Sequence, residues 1–280
     1  MTSPSSARNA RRRSYLRILA AASVACLAAY LALSYWLAPL LWKHYEHQRA
    51  IADLAMTTFN ALGIPGDALN VGLEGSQEDV LCAMNAAGWS PADPVTLKSS
   101  VKIVGSVLLD RPYVRAPVSH LFYQGRREDL AFEKASGKSP DTRHHVRFWK
   151  VIDVGDDGRP VWLGAATFDR GVGVSHYTGQ ITHHIAPDID AERDLLASDL
   201  AGANKVEDIY ETSGIGPTLT GRNGGDDRYF TDGEILFSRL ALGCQTQFAQ
   251  PATLPNPPAI DAKNRLWRWL KGLLTRAGKS

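Results

Sequence analysis

Four of the chain's eight histidines stand as adjacent pairs, His144-His145 and His183-His184, each in a run of apolar and β-branched residues. Histidine is the side chain whose ordinary pKa brings a charge change between about pH 5 and 8, and it is the commonest metal ligand, so acid–base or metal chemistry would be sought at these pairs. Neighbours along a strand point to opposite faces, so neither pair can chelate one ion by itself. His144 shares a face with Val146 and Phe148, and His145 with Arg143 and Arg147; His183 lies with Ile181 and Ile185, and His184 with Thr182. A zinc-like divalent metal could take His144 and His183 together with Asp169 or Asp188. Hydrolysis could use His144/His183 or His145/His184 with Asp169, Arg143 stabilising the developing charge. A strand between the two pairs would hold them about 2 × 4.8 Å apart, which is wide for two imidazoles on one ion. The plainer expectation is that His144 and His183 are half-buried, hydrogen-bonded histidines, the other two surface residues, and that no cofactor is present.

The other chemical candidates each have a plain counterpart. Arg143, His145 and Arg147 could cradle a phosphate or carboxylate, or form a solvated strand face. Asp188 and Asp190 resemble a metal-binding pair, but acids before an apolar helical run cap its free N–H groups and complement its dipole. The stretch 213–233 carries Gly214, Gly216, Gly221, Gly224 and Gly225, and reads as a lid or a long surface loop. No GxSxG elbow, GxxxxGK[ST] phosphate loop or HExxH helix occurs. Gly171-Val172-Gly173 lacks the third glycine of a dinucleotide fingerprint and reads as a hairpin turn. Cys82 falls opposite the apolar stripe of its helix; Cys244 is the other thiol outside the N-terminal apolar segment, so the two could pair in an oxidising compartment.

These residues need a frame. Three strand-like runs, 143–152, 160–169 and 178–185, form a meander joined at Gly155-Asp156-Asp157-Gly158 and around Gly171. Ser76-Gln77-Glu78-Asp79 has capping-box form and opens a helix with Val80, Leu81, Met84 and Ala87 on one stripe. A second helix follows Pro187, with Leu195, Leu196, Leu200 and Ala203 as its stripe. Residues 70–73, 205–211 and 234–242 read as further strands, and 101–109 as an apolar run. The predicted class is α+β: a mostly antiparallel β-sheet with two helices packed on it, plus one N-terminal transmembrane helix.

The 31 basic and 29 acidic residues are unevenly placed. Residues 1–42 carry five arginines and no acid, and 259–280 carry six basic residues and one acid, leaving 20 basic and 28 acidic residues between them. So acidic a centre offers no footprint for nucleic acid. Residues 18–42 hold no charge and span roughly 37 Å as a helix, enough for a hydrocarbon core of about 30 Å. Tyr35, Trp36 and Trp42 form an aromatic belt near the far end, and the arginines of 1–17 keep the N-terminus cytoplasmic. A cleaved signal peptide would have a shorter apolar stretch, and Arg12-Arg13 also resembles a twin-arginine export signal. Helical spacing of Ile51, Leu54, Ala55, Phe59 and Leu62 makes 43–66 a helical stalk. The domain proper runs over 67–250, followed by a proline-rich linker, 251–258, and a basic amphipathic helix, 259–280. In that tail Leu266, Trp269, Leu270, Leu273 and Ala277 form one stripe; with Trp267, Trp269 and Lys271 it reads as a helix lying on the membrane, or as one packed on the domain.

The segments RREDLAFEK (126–134), RHHVRFW (143–149), WLGAATFD (162–169), GQITHHIAPDIDAERD (179–194) and GPTLTGRNGGDDRYFTD (216–232) resemble the LssY C-terminal domain of bacteria over roughly residues 70–245. The resemblance implies a bacterial, membrane-associated domain that often follows a membrane portion, sometimes one like DedA-type or phosphatidic-acid-phosphatase-like proteins. A single helix stands here in place of those modules, so lipid-phosphatase activity does not carry over, and no catalytic residues transfer. The function expected is a membrane-anchored extracytoplasmic accessory module of the inner membrane, with the bilayer and an envelope protein or lipid-linked ligand as partners. The alternative is a metal- or histidine-dependent hydrolase of a phosphorylated or lipid-linked envelope substrate.

Overall fold

A computed structural model describes residues 4–92, 120–137, 142–174 and 181–277. The chain divides into two compact units, Met1–Glu46 and His47–Ser280. The first is helical: α1 (Pro4–Ala32), one π-helical turn (Leu33–Leu37) and α2 (Ala38–Tyr45). Pro39 accounts for the widened turn, because it has no N–H to give to the carbonyl four residues back and its ring crowds that carbonyl. The stretch Arg13–Leu41 is long and apolar enough to cross a membrane. Tyr35 and Trp36 are exposed on it; the side chain of Trp42 lies outside the described residues.

In the second unit come β1 (Thr57–Phe59), β2 (Pro65–Ala68), β3 (Val71–Glu74), α3 (Gln77–Ala86) and β4 (Ser90–Pro91). Next are β5 (Phe122–Tyr123), β6 (Arg126–Arg127), β7 (Leu130–Ala135), β8 (Arg143–Ile152), β9 (Val161–Val174) and β10 (Ile181–Ile185). Last are α4 (Ile189–Gly202), β11 (Val206–Ser213), β12 (Thr218–Arg222), β13 (Arg228–Thr231), β14 (Glu234–Leu240), β15 (Ala252–Thr253) and α5 (Pro258–Ala277).

The main sheet has the order β15-β11-β14-β3-β9-β8-β7-β4, with β10 also on β9. It is mostly antiparallel, but β14–β3 and β11–β15 pair parallel, so the sheet is mixed. One side of β9 carries β8 along most of its length; the other carries β3 against residues 161–164 and β10 against residues 169–174. Asn70 fills the gap: its side-chain NH2 donates to the Ala166 carbonyl at 3.0 Å and its Oδ1 accepts the Ala166 N–H at 2.9 Å, replacing a rung of the ladder.

Both faces of this sheet are covered. Phe132, Val146, Phe148 and Trp162 pack with Val80, Met84, Leu196 and Leu200 of α3 and α4. Trp149, Leu163, Ala165 and Phe237 pack with Ile51, Leu69, Leu121 and Tyr123. The small sheet β2-β1-β5-β6 lies around this second cluster. Ser76 caps α3 as expected, accepting the Asp79 N–H while Asp79 accepts its own. Cys82 of α3 and Cys244 are disulfide-bonded, with Cα atoms 6.0 Å apart.

Four expectations change. The helical stalk does not continue past Tyr45: residues 49–51 form a 3-10 turn, Ile51 enters the sheet core, and Thr57-Thr58-Phe59 take the strand their branched and aromatic side chains prefer. Gly171-Val172-Gly173 is not a turn but part of β9. The segment 213–233 is not one long loop, because β12 and β13 within it form a hairpin. The proline-rich 251–258 adds β15 to the sheet edge and Pro258 starts α5, so this third helix is docked rather than tethered. The apolar run 101–109 lies outside the described residues.

Candidate functional site

The register of β7, β8 and β9 decides which charged side chains meet. Glu133 sits opposite His145, Arg143 opposite Asp169, and His145 opposite Thr167. Alternation then gathers Arg143, His145 and Arg147 on the face away from Val146 and Phe148. That face is not solvated: Arg143, His145, Arg147, Glu133, Thr167 and Asp169 are all buried.

Asp169 is the centre. Arg143 Nε donates to its Oδ2 at 3.0 Å, while Arg143 Nη1 donates to Glu133 at 2.9 Å. His145 Nδ1 lies 3.1 Å from Asp169 Oδ1, and His183 Nδ1 lies 3.4 Å from Oδ2. His145 Nε2 is 3.0 Å from Arg147 Nη1 and 2.7 Å from the Thr167 hydroxyl. Arginine can only donate, so this nitrogen accepts, which leaves the ring's proton on Nδ1 beside the carboxylate. Arg147 reaches Asp67 at 3.4 Å, and Asn223 donates to Asp67 at 3.1 Å.

Burial pushes the Asp169 carboxyl up, but His145, His183 and Arg143 outweigh it and hold it far below the usual carboxylate range. Burial pushes His183 down to about 4, with Asp169 opposing and Arg143 assisting, so its imidazole is neutral at physiological pH. The His183 side chain is 20% exposed, against 4% for His145 and 1% for Asp169. It is therefore the part of the cluster that reaches toward the surface. His183 Nδ1 faces the carboxylate at 3.4 Å without a hydrogen bond to it, so Asp169 acts on this imidazole through its charge.

The sequence had paired His144 with His183 and His145 with His184; the structure sorts them otherwise. His144 meets Glu192 at 2.8 Å on the helix-covered face, its ring tilted against Phe168 at 4.9 Å. His184 meets Asp227 at 2.8 Å, and its ring occupies the space where a side chain on Gly173 would stand. Asp188 caps α4 by accepting the Ala191 N–H, and pairs with Lys271. Asp190 accepts from Thr231 and from the Asp232 N–H. Of the four residues proposed for a metal, His183 and Asp169 meet while His144 and Asp188 pair elsewhere, and no three His, Cys, Asp or Glu groups able to hold a metal occur among the described residues.

Each of the four histidines meets a carboxylate, and the gap between the outer strands is bridged by Asp169 itself, whose Oδ1 meets His145 and whose Oδ2 meets both Arg143 and His183. Glu133 and Asp67 were not singled out from the sequence. Glu133 could have been found from strand alternation, since it lies two residues from Ala131 and Ala135 on the same face. Asp67 could not, because its role follows from a contact 80 residues away. The glycine-rich segment serves this site: Asn223 accepts the N–H groups of Gly225 and Asp227, and the turn delivers Asn223 to Asp67 and Asp227 to His184.

No curated protein and no solved structure matches the chain. Residues 48–235 match the family described as LssY C-terminus, and these residues include every strand and carboxylate of the cluster: the chain belongs to that family.

Proposed function

We propose that this chain is a single-pass, membrane-anchored accessory module of the bacterial envelope, its domain extracytoplasmic, acting by binding an envelope protein or a lipid-linked ligand. The observation that carries the reading is the combination of a charge-free stretch, 18–42, preceded by five arginines with a disulfide, Cys82–Cys244, far downstream. The arginines favour a cytoplasmic N-terminus, and a disulfide belongs to an oxidising compartment, so two unrelated signals favour the same topology. Binding is preferred to catalysis because the buried charges of the Asp169 cluster are matched with one another, with His183 the member reaching outward. To test it, Phe248, which is 99% exposed, is replaced by cysteine in the full chain with Cys26 changed to serine. Labelling of intact cells by a membrane-impermeant maleimide supports the reading; labelling only after permeabilisation overturns it.

A second reading, hydrolysis of a phosphorylated or lipid-linked envelope substrate, draws on the convergence of His145 and His183 on Asp169. There His183 would take a proton from water while Arg143 holds Asp169 ionised. Turnover of an aryl phosphodiester that falls at least about a hundredfold in His183→Ala would favour it, that being the low end for a positioned general base. Turnover indifferent to that change would remove it.

A further inference from the structure

The helix α5 has two apolar sides, and the domain uses only one. Ile260 and Trp267 are buried at 1% and 5% exposure, and Lys263, Asn264 and Lys271 flank them. Lys263 donates to Glu234 and to the Asp232 carbonyl, Asn264 donates to Glu211, and Lys271 pairs with Asp188. The side expected to be the helix's apolar stripe points the other way. Trp269 is 65% exposed, Leu266 59% and Leu273 49%. At about 100° per residue, Leu273 and Leu266 lie roughly 40° and 60° to one side of Trp269, while Arg276, Arg265 and Arg268 lie roughly 20°, 40° and 100° to the other. The outward face is therefore half apolar and half basic.

The cations are sorted in the same way. Lys263 and Lys271 are each paired with a carboxyl group of the domain. Arg265, Arg268 and Arg276 are exposed and carry no ion pair among the described residues. A ridge of Trp and Leu beside uncompensated arginines, held rigidly by the buried side of the same helix, matches the boundary between acyl chains and anionic headgroups. We infer that this face of α5 is a second membrane contact, selective for anionic lipid. A protein partner would need carboxylates along the same line. Lipid is favoured because the domain begins immediately after a unit whose helix is of membrane-spanning character, which keeps lipid at high local concentration whatever else is present. The inference needs the N-terminal helix in a bilayer and is independent of which side the domain occupies.

The test uses the full chain with Cys26→Ser and Leu273→Cys, spin-labelled at residue 273 and reconstituted into vesicles of phosphatidylcholine alone or with a quarter phosphatidylglycerol. The expected result is that the label becomes accessible to oxygen and shielded from a water-soluble nickel complex in the anionic vesicles. The shift should weaken in 0.5 M salt, and the lipid partition should fall about fivefold for each arginine removed across Arg265→Gln, Arg268→Gln and Arg276→Gln. A label equally open to the nickel complex in both lipids would overturn the proposal. So would shielding independent of lipid charge with dipolar broadening between labels, which would assign the face to a second copy of the chain.

Discussion

Replacing Asp169 by asparagine keeps the shape of the central carboxylate and removes its charge. In the parent, the carboxylate is 1% exposed and meets Arg143 at 3.0 Å, His145 at 3.1 Å and His183 at 3.4 Å. Removing one partner of a buried ion pair costs about 3–5 kcal/mol, because the remaining charge stays desolvated. Glu133 still engages Arg143 at 2.9 Å and the amide oxygen can still accept one hydrogen bond, so the low end, about 3 kcal/mol, applies. For a unit of this size that is a fall in Tm of roughly 6–12 °C. The dependence on pH is more diagnostic. The folded-state pKa of Asp169 is depressed, so its contribution is full above the unfolded value of about 4 and is lost as pH falls below it. The deficit of Asp169→Asn should therefore be complete at pH 7 and shrink toward pH 3. The assay is thermal unfolding of the full chain in a mild detergent, followed by tryptophan fluorescence between pH 3 and 8. A deficit under about 1 kcal/mol at pH 7, or one that stays constant down to pH 3, would falsify the account of a charge-centred cluster.

Reducing Cys82–Cys244 opens a loop of 162 residues, for which loop entropy gives about 5 kcal/mol; a loss of roughly 2–5 kcal/mol is expected with a phosphine reductant, and a change below about 1 kcal/mol would show that the bond contributes little. Burial pushes Glu234 up to about 7 despite Lys263 beside it. A raised carboxyl pKa means the folded state holds the proton longer, so stability falls as pH rises from about 4.5 to about 7, by up to roughly 3 kcal/mol. Glu234→Gln should flatten that slope, and an unaltered slope would assign it to another group. Gly233 has φ +85° and no room for a Cβ against the Gly216 backbone, so Gly233→Ala should cost about 2–4 kcal/mol and lower Tm; a neutral outcome would mean the two segments separate freely.

Local chemistry was the part of the fold most readable in the chain. Ser76 and Asp79 reveal the start of α3 because a capping box is written within four residues. The run 143–152 reads as a strand end to end, and both acid clusters at helix starts mark α3 and α4. Pairing across distance was not readable. Alternation put His145 and Arg147 on one face, but only the second layer of Ile51, Leu69 and Tyr123 makes that face an interior. The stripe Ile51, Leu54, Phe59 and Leu62 has helical spacing by coincidence, since Ile51 is recruited by Trp149 and Leu163, a hundred residues on. In α5 the sequence leaves the apolar stripe to lie on the membrane or pack on the domain; polar anchors at Lys263, Asn264 and Lys271 turn it outward, and Trp267, expected at the membrane, is buried instead.

The position of β3 bears on how the chain can fold as it is made. It lies between β9 and β14, and it pairs through Val71 with Gly164 on one side and Leu236 on the other. The strand thus leaves the ribosome with neither neighbour in existence, and its second neighbour follows 165 residues later. At about 5–20 residues per second that is roughly ten to thirty seconds during which a central strand has open hydrogen-bonding edges. The meander β7-β8-β9 can pair as it emerges, but the centre of the sheet is complete only once β14 has been added beside β3. Until Leu240 has been synthesised, the edge of β3 that receives β14 stays open.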